Sequence, residues 1–169
     1  LQDVLGSNDE EMSCTEWGKA LTKGMAFARQ TLDIQEINFS GGEPLLSRIE
    51  ELRDEISLAR RFGFRQITIL TNGSLLTAER IDEWCEAGLT HLSVSLHTAD
   101  TSAYAWLSGL GRCAEAMHER VISMIEYAAA RKGLTTRLNA VRVSGCSESL
   151  PDMLRLAERL GVQECTLSE

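Results

Sequence analysis

Apolar residues recur along this chain in two alternating periods. Trp17, Leu21, Met25, Ala28 and Leu32 share a helical face, and Ser13 and Glu16 stand at capping-box spacing before it. A strand is predicted at about Gln35 to Ser40. A helix follows from about Ser47 to Phe62, with Ile49, Leu52, Ile56, Ala59 and Phe62 on one side, and Gly63 stops it. "QITIL" is a β-branched strand leading into Thr71, Asn72 and Gly73. Thr77 caps the next helix, which carries Ile81, Trp84 and Cys85 and ends at Gly88. "HLSVSLH" alternates as a strand does. The segment from about Thr98 to Gly111 reads as irregular, and the helix after it runs to Lys132, where Gly133 closes it. "TTRLNAVRV" is a strand, a helix covers about Ser149 to Leu160, and "VQECTL" is the last strand.

Strands alternating with helices across short loops imply parallel pairing through right-handed crossovers. Five strands and five helices, with a helix first, predict an α/β fold: most of a (β/α) barrel or an open sheet. The first helix lacks a strand before it, so that strand is expected upstream of Leu1. Residues 1–169 read as a single domain truncated at both ends, with "SNDEE" a solvated acidic loop.

Composition narrows the function classes. A net charge of -8 argues against a broad phosphate-binding surface, so nucleic acid is not an expected partner. No run has the length of a membrane span, and no signal peptide is visible. The five cysteines, Cys14, Cys85, Cys113, Cys146 and Cys165, are each isolated. Without CxxC or CxxxC pairs they form no closed metal site and read as buried small residues of a cytoplasmic protein.

Ligands of parallel α/β folds sit at the carboxyl ends of the strands, where the unusual polar residues of this chain gather. Gly41, Gly42, Glu43 and Pro44 follow the first visible strand; Thr71, Asn72 and Gly73 follow the second. Ser95 and His97 close the third, and Ser144 and Gly145 the fourth. "TNG" is also a common turn, Ser95 a possible strand hydroxyl, and Arg137 and Arg142 possible outward-facing strand residues. "GGEP" is more specific. Paired glycines let a ligand approach the main chain, and Glu43 sets beside them a carboxylate that suits an ammonium and repels a phosphate. Pro44 fixes the turn and starts the following helix.

The stretches "INFSGGEPLL", "ITILTNGSLL", "HLSVSLHTAD" and "TTRLNAVRV" resemble the radical S-adenosylmethionine (SAM) superfamily along nearly the whole chain. The resemblance implies a partial (β/α) barrel lacking its first strand, with the visible strands as the second to the sixth. It implies that Gly41, Gly42, Glu43 and Pro44 hold the amino group of SAM and that Ser95 contacts its ribose, with Thr71 and Asn72 beside them. It further implies a [4Fe-4S] cluster, a 5′-deoxyadenosyl radical that abstracts a substrate hydrogen, and an electron donor such as a flavodoxin or ferredoxin. Asn38, His97 and Arg137 are the substrate-binding candidates, for a small molecule or a peptide.

The superfamily's CxxxCxxC loop is absent from this chain. Its cysteines are expected upstream of Leu1, so the fragment itself is expected to hold no cluster and to be inactive. "LNAVRVSGCSESLPDMLRLAERLGV" is most similar to the GTP cyclase of molybdopterin synthesis and to peptide-modifying relatives. Arg137 matches a nucleotide-facing basic position of that cyclase, whereas Asn38 and Leu70 depart from its arginine and threonine. Two other readings stay open: a non-catalytic binding or scaffold module without a cluster, and an unrelated α/β enzyme in which "GGEP" is a structural turn.

Overall fold

The computed structural model describes residues 14–47, 49–142 and 150–168. Ser13, Ser144, Gly145, Cys146 and Ser149 lie outside them. The chain divides between residues 34 and 35 into two compact units. The first carries helix α1 (Cys14–Gln30), which stops short of Leu32. Ile34 donates its backbone N–H to the Ala28 carbonyl, and Asp33, at φ 51°, pairs with Arg29.

The second unit holds five strands: β1 (Glu36–Phe39), β2 (Gln66–Thr71), β3 (His91–Ser95), β4 (Thr135–Val141) and β5 (Glu164–Ser168). They pair in sequence order, all parallel, and the sheet is open because β1 and β5 do not meet. The connecting helices are α2 (Ile49–Phe62), α3 (Ala78–Ala87), α4 (Thr101–Ser108), α5 (Ala114–Ala129) and α6 (Leu150–Arg159). Strands laid down in order through right-handed crossovers put the crossover helices on one face. Ile67, Ile69, Leu92, Val94 and Leu138 are buried on that face, together with Ile56, Trp84, Val121, Ile125 and Leu156 from the helices.

The register fixes what the opposite face carries. Asn38 pairs with Thr68, Thr68 with His91, Ser93 with Arg137, Ser95 with Asn139, and Arg137 with Glu164. Paired residues of neighbouring strands point the same way, and successive residues alternate. One face is therefore mostly apolar and covered by helices, with Thr71 and Thr136 buried in it; the other carries hydroxyls, amides and a few charges around Leu70. β3 shows why simple alternation was a partial guide. Ser93 is polar yet buried, so the strand reads as a continuous buried run.

Most helix ends follow from the punctuation. Thr77 Oγ1 accepts the Arg80 N–H at 3.2 Å, and Gly88 at φ 120° closes α3. A Thr77→Ala change should cost about 1 kcal/mol, readable as a lowered urea midpoint with an unchanged slope.

Three expectations need correction. The segment Thr98–Gly111 is not irregular, because it contains α4. Asp100 Oδ1 accepts the Ala103 N–H at 2.8 Å to start that helix, and Gly109 at φ 67° ends it. No apolar stripe of helical period marks "TSAYAWLS". The helix is tied down instead by Tyr104, stacked on the buried His118 of α5 at 4.7 Å. His118 also accepts from Thr101 Oγ1 at Nδ1 and donates from Nε2 to the Thr98 carbonyl. Second, Pro44 opens a 3-10 turn, Pro44–Leu46, rather than the long helix, which starts at Ile49. Likewise α5 is preceded by a 3-10 turn, Gly111–Cys113, and stops at Ala129, three residues before Lys132. Third, three of the cysteines are not core residues: Cys85 and Cys165 are half-buried and Cys113 is exposed.

Candidate SAM-binding site

The loop after β1 is shaped by its glycines. Gly41 and Gly42 have φ of 108° and 36°, conformations that glycine adopts without a Cβ penalty. A Cβ at either position would meet no atom within 4 Å. Neither glycine is needed to fit a neighbour, so open space lies in front of the main chain there. That is the arrangement a ligand approaching the backbone requires.

Glu43 is fixed by three donors. Its Oε1 accepts the Leu45 N–H at 3.1 Å and the Thr71 hydroxyl at 2.7 Å, and its Oε2 accepts the Asn72 N–H at 2.8 Å. Thr71 Oγ1 in turn accepts the Gly73 N–H at 3.0 Å, and Asn72 Oδ1 accepts the Ser74 N–H at 2.9 Å. The carboxylate thus joins the loop after β1 to the loop after β2. A carboxylate offers about four acceptor sites, so these bonds leave about one for an incoming donor. Arg80 adds a brace, donating to the carbonyls of Leu45 and Leu75. Glu43 is thus itself held in place, which its sequence position alone does not reveal.

A cleft of about 320 Å³ opens beside this network, lined by Asn72, Ser74, Ser95, Leu96, His97, Tyr104, Leu107, Ser108 and Leu110. It brings together three of the predicted residues, Asn72, Ser95 and His97. His97 Nδ1 accepts the Val141 N–H at 3.1 Å, which leaves Nε2 as the protonated nitrogen of the neutral ring. Tyr104 and Leu107 were not anticipated, because they belong to α4. Burial raises the Tyr104 phenol above its ordinary pKa, so it remains a neutral wall at physiological pH.

Two predicted residues stand apart from the cleft. Asn38 is exposed on the polar face of β1. Arg137 lies on the same face of β4, one alternation below Asn139, with its Nη2 2.5 Å from Glu164 Oε2 and its Nε 2.7 Å from the same oxygen. Asn139 and Ser93, bonded to each other at 2.7 Å, complete that face and were missed. The signal was present in "TRLNAV", where Arg137 and Asn139 alternate with apolar residues.

The chain matches the Radical SAM superfamily profile over residues 21–160. It belongs to the radical SAM superfamily. A probable GTP 3′,8-cyclase of Methanopyrus kandleri is 34% identical over 155 residues, covering 90% of this chain and 46% of that protein. A PqqA peptide cyclase of Streptomyces rochei is 31% identical over 160 residues, covering 95% and 40%. The chain thus spans less than half the length of these relatives. The fold also recurs in Streptococcus suis SuiB, at TM-score 0.67 and 19% identity over 87% of this chain and 32% of that one. Escherichia coli coproporphyrinogen III oxidase, described as a radical SAM enzyme, matches at TM-score 0.63 and 12% identity, over 95% of this chain and 38% of that one.

The superfamily typically uses SAM and a [4Fe-4S] cluster. The open glycine loop and the anchored carboxylate fit the amine of SAM. The described residues do not fit the cluster, since no three His, Cys, Asp or Glu side chains group to hold a metal among them. Burial raises the thiol pKa of Cys85 and of Cys165 above the ordinary cysteine value. No helix is long and apolar enough to cross a membrane among the described residues.

Proposed function

We propose that this chain is the SAM-binding core of a radical SAM enzyme. The observation that carries the reading is the Glu43 network, which holds a carboxylate beside two open glycines at the carboxyl ends of parallel strands. Glu43 and the main chain of Gly41 and Gly42 receive the ammonium of SAM, Pro44 fixes the turn behind them, and Thr71 and Asn72 hold Glu43 in place. Ser95 donates to or accepts from the ribose. Tyr104, Leu107 and Leu110 form an apolar wall that keeps water from the ligand's less polar side. Held by Glu43, Gly41 and Gly42, SAM would supply hydrogen-abstraction chemistry toward a substrate in the whole protein, with any cluster ligands coming from outside the described residues. In the whole protein that substrate is a small molecule or a peptide, and a flavodoxin or ferredoxin supplies the electron in the cytoplasm.

Two substitutions test the site by SAM equilibrium dialysis. Ser95→Ala removes one neutral hydrogen bond and should weaken binding a few-fold, about 0.5–1.5 kcal/mol. Gly42→Ala should lose several-fold in affinity, because its Cβ occupies the ligand's approach. Its own stability should fall by only about 1–2 kcal/mol, the cost of an alanine at positive φ. Unchanged SAM binding in both variants would remove SAM from this cleft.

A further inference from the structure

The relatives named above act on substrates of opposite character, a nucleoside triphosphate and a peptide, and the charge of the polar sheet face decides between them. The face offers a ligand Asn38, which is exposed, and Ser95 and Asn139, which are half-buried, all neutral hydrogen-bonding groups, while Thr68 and Ser93 on the same face are buried. Its one guanidinium among the described strand residues, Arg137, is closed on Glu164 through two of its nitrogens. His91, on the same face, has an imidazole pKa pushed down by burial; nearby Glu164 and Glu36 pull it up and Arg137 pulls it down, with a net fall. It therefore adds no cation at neutral pH. A triphosphate needs several uncompensated cations, because its own charge must be desolvated. An extended peptide needs amide and hydroxyl partners rather than cations, and Asn38, Ser95 and Asn139 are of that kind.

We infer that the polar face of β1–β5 takes a peptide segment rather than a nucleoside triphosphate, and that Glu164 sets this choice by occupying Arg137. The inference rests on the SAM-binding reading for the location of the reacting end. That end is the Ser95 cleft, whose apolar wall of Tyr104, Leu107 and Leu110 suits a side chain of the same peptide. Glu164 here is a specificity residue: removing its charge frees a guanidinium shaped for phosphate.

The test titrates three probes into the protein by calorimetry: SAM, GTP and a pool of random 12-residue peptides of neutral composition. In the parent, SAM and the neutral peptide pool should bind, and GTP should show no binding up to about 1 mM. Glu164→Gln should gain GTP binding by at least tenfold while SAM affinity stays unchanged. The double variant Arg137→Gln/Glu164→Gln should lose the gain. GTP binding by the parent at micromolar level that falls in Arg137→Gln, or no heat of binding from the peptide pool, overturns the inference. So does Glu164→Gln with intact SAM binding and no gain. Loss of SAM binding in the parent would instead sink the SAM-site reading, so the two failures are separable.

Discussion

Glu43→Ala should weaken SAM binding by about ten- to a hundredfold, or about 1.5–3 kcal/mol for a hydrogen bond to a charged group. The loss has two parts. The ammonium loses its carboxylate, and the loops after β1 and β2 lose the bonds that Glu43 makes to Leu45, Thr71 and Asn72. Thr71→Val separates them, since it removes the 2.7 Å bond and leaves the carboxylate. That variant should lose affinity by a smaller factor. Equal affinity in Glu43→Ala and the parent, measured by equilibrium dialysis, would take Glu43 out of the site. In the whole protein the iron content of Glu43→Ala should stay at the parent level, because Glu43 is assigned to SAM and not to the metal.

The second large effect is on stability. Gly73 sits at φ 78°, and a Cβ there would lie 2.9 Å from Val94 Cγ1 and 3.1 Å from Val121 Cγ1. Both valines are fully buried, one on β3 and one on α5, so neither can step aside into solvent. Gly73→Ala combines a left-handed alanine with overpacking, and should cost about 2–4 kcal/mol in urea unfolding. The contrast with Gly42 is diagnostic. One glycine is required by packing, and the other leaves room that a ligand can use. A Gly73→Ala protein with the parent's midpoint would show that the turn after β2 adjusts more freely than its neighbours allow.

Much of the fold was legible from the residues alone because its boundaries are local. Thr77 caps α3 three residues ahead of its partner Arg80, and Gly63 and Gly88 end helices within one turn. α4 was hidden because its stability comes from a cap and from a stack on His118, fourteen residues away in sequence from Tyr104. Neither leaves a periodic trace. The site divides the same way. "GGEP" announced itself, since two glycines and an acid between a strand and a helix have few structural uses. That Glu43 is spoken for by Thr71, 28 positions on, needs the two loops placed side by side. Arg137 was named for its charge, and only the register with β5 shows the charge cancelled.

The open sheet carries a consequence for handling the molecule. Along the outer margins of β1 and β5, ladder amides and carbonyls have no strand beyond them among the described residues. Such margins recruit foreign strands readily unless something covers them. Preparations bearing this sheet without cover should therefore self-associate as concentration rises, and additions along either margin should restore monodispersity before they alter SAM affinity.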